Sequence, residues 1–243
     1  MINSGMAIKP RPLYAVLTKQ LKDTFKNKAV FIQFMLFPIM AILLTETIAK
    51  SSPDIEPRYF STMFATMYAG FVPMMVMSSI IGEEKEQYTL KALIMSNVKP
   101  WQYLLGVGSY CVVLCMAGAS VFGVLNGYNS AEFMRFMVIM FIAIVTTSLL
   151  GVAVGMLTKN QMSATAVGLP IAMVSAFLPM IATFNTNVEK FARYFYTQQV
   201  NYLINDLSIE NFTAERFIII GVNIVVLIAI FVVSYKKGNL SND

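Results

Sequence analysis

The chain has 243 residues, of which 57% are hydrophobic and only 13% are charged, and its net charge is +5. A soluble domain carries roughly 45–50% apolar and about 25% charged residues, so this composition leaves too little polar surface for a water-soluble globule. It indicates a protein embedded in lipid, and the absence of histidine removes the commonest metal ligand and general base.

The first polar segment, Leu13–Lys28, is amphipathic. Its apolar residues share one helical face while its lysines fall elsewhere, which is typical of a helix lying in the membrane interface. A basic, solvated tail that only helps to set topology is the alternative. The first apolar run follows this long leader and is long enough to anchor, so we expect no cleavable signal peptide. The apolar face of the predicted interfacial helix consists of Leu13, Val16, Leu17, Leu21 and Phe25.

Six apolar runs follow, and each is long enough to cross a bilayer, since about 20 residues in a helix span the hydrocarbon core. The runs do not alternate polar and apolar residues, so they indicate helices and not barrel strands. The predicted spans are Ala29–Ile48, Phe60–Ile81, Tyr103–Leu125, Phe133–Leu157, Met162–Phe184 and Phe217–Tyr235. We predict an all-α integral membrane protein with one domain: a leader at 1–28, six spans within 29–235 and a tail at 236–243.

The segment Gly82–Pro100, between the second and third spans, is longer than a plain connection requires. Leu90, Leu93 and Ile94 recur at helical spacing, so a short helix would present an apolar stripe between charged ends. We expect this helix to dock a partner; packing into the membrane interface is the alternative. The acidic residues before the stripe are interpreted as a solvated docking turn and not as a catalytic cluster; they are Glu83, Glu84 and Glu86.

Small residues in the fourth span indicate close helix packing. Gly151 and Gly155 form a GxxxG pair, which allows two backbones to approach each other in lipid. The pair could pack within one chain or between subunits.

The segment Asn185–Glu215, before the last span, is too apolar for a free loop and too interrupted to cross the bilayer. We predict short amphipathic or re-entrant helices that cap the outer mouth and are ordered because their aromatic residues need cover. Its principal apolar residues are Phe191, Tyr194, Phe195, Tyr202 and Leu203.

The distribution of charge predicts the orientation. If both termini are cytoplasmic, twelve Lys and Arg residues lie inside and six outside, whereas five acidic residues lie inside and eight outside. The positive-inside rule therefore predicts cytoplasmic termini and a cytoplasmic Gly82–Pro100 segment. We expect a multi-pass protein of a cell membrane, specifically the bacterial cytoplasmic membrane.

Sequence signatures of self-contained chemistry are missing. The chain has no Gly-x-x-x-x-Gly-Lys-Ser/Thr phosphate loop and no Gly-x-Ser-x-Gly nucleophile elbow. The span interiors carry neutral polar groups instead of the buried carboxylates that bind a driving ion. Cys111 and Cys115 lie one helical turn apart in an apolar run, which favours buried side chains over a disulfide or a metal site. We predict no catalytic residue, metal or cofactor, so any pumping must draw energy from a partner.

From Gly82 to Gly106 the sequence resembles the cytoplasmic segment between spans two and three of type-2 ATP-binding-cassette exporter permeases. In that family an acidic-basic-acidic turn leads to Thr-Leu, a leucine-rich turn, a small residue and a Leu-Leu-Gly that opens the third span. The order of the leader, the spans and the outer segment is similar over the whole chain. The matching residues are Glu84, Lys85, Glu86, Thr89, Leu90, Leu93, Ser96, Leu104, Leu105 and Gly106, and the departures are Tyr88, Asn97 and Val107.

The resemblance implies a permease subunit that pairs with a second permease, as a homodimer or heterodimer, and with cytoplasmic ATPase subunits. The protein would work in a lipid bilayer and bind no nucleic acid. ATP-driven closure of the ATPases would move the spans through a coupling helix at Gly82–Pro100. The residues that this implies for coupling are Glu83, Glu84, Glu86, Thr89, Leu90, Leu93, Ile94 and Ser96.

The sequence indicates only the general class of cargo, and it leaves two alternative functions open. Neutral spans rich in methionine and phenylalanine favour an amphipathic or hydrophobic cargo such as an antimicrobial peptide, a drug or a lipid. A self-contained channel or secondary carrier is the first alternative function. A lipid-modifying membrane enzyme is the second, and it is disfavoured because the chain has no histidine and no convincing catalytic pair of carboxylates.

Overall fold

The computed structural model describes residues 28–88 and 100–240. These residues form an α-helical bundle with two short 3₁₀ turns, Ala49–Ser51 and Ile209–Asn211. Helices α1–α5 and α8 are long and apolar enough to cross a membrane, which confirms the predicted all-α architecture with six candidate spans. The helices are α1 (Lys28–Thr47), α2 (Tyr59–Glu86), α3 (Pro100–Leu125), α4 (Ser130–Leu157), α5 (Gln161–Phe184), α6 (Thr186–Ala192), α7 (Tyr196–Asn205) and α8 (Ala214–Leu240).

Helix α2 lies at the centre of the described bundle. It contacts α1, α3, α4, α5 and α7, and most of its side chains are buried. Its companion α4 comes unusually close, because a Cβ at Gly151 would lie 2.5 Å from the carbonyl oxygen of Met74. A Cβ at Gly155 would lie 2.8 Å from the Cβ of Ile81. The GxxxG pair of α4 therefore packs within the chain, against α2.

Helix α5 follows another face of α2 along most of its length. Near the middle of α2, a Cβ at Gly70 would lie 3.0 Å from the carbonyl oxygen of Ser175. In the last turns of α2, a Cβ at Gly82 would lie 2.8 Å from the Cβ of Ala164. Small residues on α2 thus bring α5 to backbone contact at two separate levels.

The starts of α4 and α5 are fixed by capping boxes. The side chain of Asn129 accepts hydrogen bonds from the backbone N–H groups of Ala131 and Glu132, and the Glu132 carboxylate accepts one from the N–H of Asn129. Asn160 and Ser163 form the equivalent pair at the start of α5. Reciprocal capping satisfies backbone donors that a helix start leaves unpaired.

Helix α2 continues beyond the predicted span, from Ile81 to Glu86. Glu83, Glu84 and Glu86 therefore belong to the last turns of a long helix, and Glu84 is buried. The interpretation of these residues as a separate turn is therefore wrong, and Glu84 is not solvated, whereas Glu86 is exposed. Their part in docking stays a prediction. The helix continues beyond the end of the apolar run because contacts with α4 and α5 support its last turns.

The remaining elements lie around this core. Cys111 and Cys115 are buried on α3 as free thiols, as predicted, with their sulfur atoms 3.9 Å apart. Helix α8 packs on α4 and α7 but exposes many large apolar side chains, among them Ile218, Val222 and Val225. Such a face requires lipid or another membrane helix as its neighbour.

Candidate functional site

Two polar regions lie at opposite ends of α2. The helix begins at Tyr59, beside the cap segment, which we define as residues 185–213. It ends at Glu86, just before residues 89–99. Because 28 helical residues rise about 42 Å, these regions are separated by the full height of the bundle. We refer to them as the cap end and the far end.

A cavity of about 480 Å³ opens at the cap end. This volume lies within the range of pockets that hold small ligands. Its walls come from α2, α4, α5, α7 and the loops beside them. The lining residues are Glu56, Arg58, Tyr59, Thr62, Met63, Thr66, Met67, Tyr128, Glu132, Arg135, Ala176, Pro179, Met180, Thr183, Asn201, Ile204, Asn205, Asp206, Leu207 and Ser208.

Cations and carboxylates line this cavity without pairing to each other. Within residues 28–88 and 100–240, the salt bridge found joins Lys50 to Glu46 on the outside of α1. The guanidinium group of Arg58 instead lies 5.0 Å from the centre of the Tyr128 ring. Arg135 donates a hydrogen bond of 2.7 Å to the carbonyl oxygen of Leu207. Both positive charges are therefore held by neutral partners.

The protonation of two cavity groups follows from their surroundings. Burial raises the pKa of Tyr128 to about 12, although the positive charge of Arg58 acts in the opposite direction. The phenol is therefore neutral at physiological pH and can donate a hydrogen bond. A hydrogen bond from the backbone N–H of Ser208, 2.9 Å long, lowers the pKa of the Asp206 carboxyl group. That group is therefore ionised at neutral pH.

Helix α7 forms one wall of the cavity and is tied to the bundle on both sides. Tyr196 shares a hydrogen bond of 2.9 Å with Thr147 of α4. Thr66 of α2 donates one of 3.3 Å to the side-chain oxygen of Asn201. Leu203, on the same helix, is fully buried. The cavity wall is therefore part of the packed core.

The cap segment forms short helices, α6 and α7, as predicted. The expectation that its aromatic residues are covered holds only in part. Tyr202 is half-buried and donates a hydrogen bond of 2.8 Å to Glu189, with the Arg216 guanidinium 4.8 Å from its ring centre. Phe191 and Tyr194 are 62% and 63% exposed. Tyrosine is enriched where protein meets the membrane–water interface, and lipid can cover both of these exposed rings.

At the far end, two consecutive residues of α2 contact the turn between α4 and α5. The ammonium group of Lys85 donates hydrogen bonds to the carbonyl oxygens of Met156, at 2.7 Å, and Thr158. The carboxylate of Glu86 accepts a hydrogen bond of 3.1 Å from the backbone N–H of Gln161. The last turn of α2 is thus joined to the end of α4 and to the start of α5.

Most residues predicted to couple the chain to a partner lie outside the described residues. This applies to the stripe on residues 89–99 and to the apolar face of the leader. Glu83 is half-buried, Glu84 is buried, and Glu86 is exposed and bonded to α5. The predicted coupling and leader residues outside the described part are Thr89, Leu90, Leu93, Ile94, Ser96, Leu13, Val16, Leu17, Leu21 and Phe25.

Sequence reasoning missed both the cavity and the contacts of Lys85. The cavity joins residues from distant parts of the chain, and no local pattern connects Arg58 with Arg135. The sequence does carry one signal, since both arginines lie at the ends of predicted apolar runs, where a charge can reach water. The partners of Lys85 are backbone carbonyls, and no side-chain pattern identifies these.

Six apolar helices long enough to cross a bilayer define the class of protein, a multi-pass membrane protein. Residues 13–235 match the family described as ABC-2 family transporter protein. The chain belongs to this family and is a permease subunit of a membrane transporter, with ATPase subunits and membrane lipid as its partners. The resemblance seen at Gly82–Gly106 is confirmed at the level of the family. The comparison with curated proteins gave no match.

Proposed function

We propose that the chain is the membrane-spanning permease of an ATP-driven exporter and forms its pathway with a second permease. Separate cytoplasmic ATPase subunits bind ATP, and the Gly82–Pro100 segment, whose residues 82–86 form the last turns of α2, contains the coupling helix that receives their motion. Both termini lie in the cytoplasm, as the excess of Lys and Arg on that side favours. The membrane is the bacterial cytoplasmic membrane.

The cavity at the cap end is the observation that carries this proposal. Five of its lining residues, from Tyr59 to Met67, belong to the first turns of α2. The coupling segment follows the last turn of the same helix. A single buried helix thus runs from the expected ATPase side to a polar cavity on the opposite side. A movement at Glu86 therefore has a direct mechanical route to the cavity.

The position of α2 also supports a second permease. The contacts of Gly151, Gly155 and Gly70 leave no room for a side chain between α2 and its neighbours. A continuous pathway through the centre of the described bundle would have to displace this helix. The translocation route therefore lies at the edge of the bundle, where a second permease supplies the missing wall.

The cavity lining supports an amphipathic cargo such as a peptide, drug or lipid. Met63, Met67 and Met180 offer flexible apolar surface that adapts to irregular shapes. Arg58 and Arg135 provide positive charge at the same space, and three carboxylates, those of Glu56, Glu132 and Asp206, provide negative charge. A molecule with an apolar body and a polar or charged group satisfies both kinds of contact.

Reconstitution of the permease with its ATPase subunit in inverted vesicles tests the proposal. We expect ATP hydrolysis to be stimulated by an amphipathic peptide, drug or lipid, and the same compound to accumulate inside the vesicles only when ATP is supplied outside. The permease without its ATPase subunit, in matched vesicles, is the control. ATP-independent movement of the compound through the permease alone would contradict the proposal and favour a channel or carrier.

A further inference from the structure

We propose that Lys85 and Glu86 form a clamp that makes the ends of α2, α4 and α5 move together when the ATPase acts. These two residues would be positioning residues for energy coupling, and residues 89–99 would act through them. The inference rests on the proposed function and adds the step by which motion of the coupling segment enters the bundle.

The charges of the clamp match the two helix ends that they contact. The last carbonyl groups of a helix lack intrahelical donors and carry partial negative charge, whereas the first N–H groups carry partial positive charge. Lys85 places its ammonium group on carbonyl oxygens at the end of α4, at Met156 and Thr158. Glu86 places its carboxylate on the first N–H group of α5, at Gln161. Each charge therefore stabilises the helix end that it faces.

Further contacts close the same junction. Ser79, two turns earlier on α2, accepts a hydrogen bond of 2.9 Å from the side-chain amide of Gln161. A Cβ at Gly82 would lie 3.0 Å from both the carbonyl oxygen of Asn160 and the Cα of Gln161. The turn between α4 and α5 is therefore held against α2 by two charged groups, one neutral hydrogen bond and backbone contact.

The place of the clamp in the chain gives it a role beyond stability. Residue 89 begins the part of the proposed coupling segment that follows α2, only a few residues after Glu86. Force on that stretch reaches α2 first. Without the clamp, α2 could move past the α4–α5 turn; with it, all three helices receive the displacement. Both α4 and α5 continue to the cap end, where their residues line the cavity.

The test measures whether motion at the far end reaches the cap end. Spin labels are attached at Phe184→Cys, the last residue of α5, and at Thr47→Cys, the last residue of α1, since both positions are exposed. Helix α1 packs on α2 and α3 and is not held by the clamp, so its distance from α5 changes when the clamped helices move. The buried Cys111 and Cys115 are first replaced. The distance between the labels is measured by pulsed electron resonance in the permease–ATPase complex in nanodiscs, without nucleotide and after trapping with ATP and vanadate.

We expect trapping to shift this distance in the complex without clamp substitutions, and we expect Lys85→Met to lose most of that shift. Glu86→Ala changes an exposed residue and should also reduce the shift. It therefore tests the clamp if the Lys85→Met variant does not assemble with the ATPase. Lys85→Arg keeps a cationic donor and should restore the shift. Lys159→Met is the matched control, because it removes an exposed lysine from the same turn.

The amount of bound ATPase and the thermal midpoint separate a transmitting clamp from a merely structural one. If the clamp transmits motion, Lys85→Met and Glu86→Ala should lose the shift while they still bind the ATPase in normal amounts. An undiminished shift in Lys85→Met and Glu86→Ala, or an equal loss in Lys159→Met, would overturn the clamp and leave the proposed function standing. No shift in the complex without clamp substitutions would instead contradict the proposed coupling and the clamp with it.

Discussion

Gly151 and Gly155 set the separation between α4 and the central helix. At Gly151 the nearest atom to an added Cβ is a backbone oxygen, that of Met74, which cannot rotate away as a side chain would. At Gly155 the nearest atom is the Cβ of Ile81, which is also fixed to the backbone but lies farther away, at 2.8 Å. The first position is therefore the less tolerant of the two.

Gly151→Ala should destabilise the protein by about 1–3 kcal/mol, the usual cost of overpacking a tight contact. The physical reason is the distance of 2.5 Å from the new Cβ to the Met74 oxygen, which forces α2 and α4 apart. The expected result is a lower midpoint of thermal unfolding in detergent. Gly221→Ala on α8 is the matched control, since no atom lies within 4 Å of its Cβ position. Equal midpoints for the two variants would refute this account of the GxxxG pair.

At the scale of the elements, hydropathy was sufficient to predict the six spans. The bilayer requires about 20 apolar residues in each helix, so each crossing leaves a signal within one stretch of sequence. The ends of the helices were less predictable. Helix α2, for example, continues to Glu86 because contacts with α4 and α5 stabilise its last turns. The cavity could not be predicted, since its shape depends on how far apart four helices stand. Backbone distances of this kind leave no pattern in the sequence.

The stripe of Leu90, Leu93 and Ile94 gives the element-scale prediction. Burying Leu93 in an ATPase cleft should contribute about 1.5–3 kcal/mol to docking, and Leu93→Asp replaces this gain with the cost of desolvating a charge. We expect the variant to insert and fold normally, to lose its co-purifying ATPase subunit and to abolish export. Subunit stoichiometry after purification in mild detergent is the measurement.

Ala92→Asp is the control for this prediction. In the predicted helix, at 100° per residue, position 92 would face away from the stripe, so the same new charge would stay in water. Retention of the ATPase at full stoichiometry by Leu93→Asp would remove this segment as the docking element. Replacing an exposed glutamate should weaken docking only slightly. Glu84→Ala cannot serve as such a control, because Glu84 is buried in the last turns of α2.

At the scale of the whole molecule, the position of α2 explains how one helix can serve both ends of a permease. Its first turns line the cavity and its last turn holds the α4–α5 turn. Tight contacts with α4 and α5 along its length oppose independent bending of the three helices. Under the proposed clamp, a displacement applied at the far end reaches the cap end with α2, α4 and α5 moving together.

This mechanism requires the far end to lie in the cytoplasm, and the charge asymmetry predicts the same orientation. Single cysteines at Gln87 and Asn187 test it, because both positions are exposed and lie at opposite ends of the bundle. The buried Cys111 and Cys115 are replaced beforehand so that they add no background.

With an impermeant maleimide applied to intact cells, we expect labelling at Asn187→Cys and none at Gln87→Cys. Permeabilised cells provide the control, since Gln87→Cys should then react and prove that its thiol is accessible. Labelling of Gln87→Cys but not of Asn187→Cys in intact cells would invert the topology. The Gly82–Pro100 segment would then face away from the ATP-containing compartment, beyond the reach of any cytoplasmic ATPase. The proposed coupling would fail, whereas the packing of α2 against α4 and α5 would be unaffected, because that packing does not depend on which end of the bundle is inside the cell.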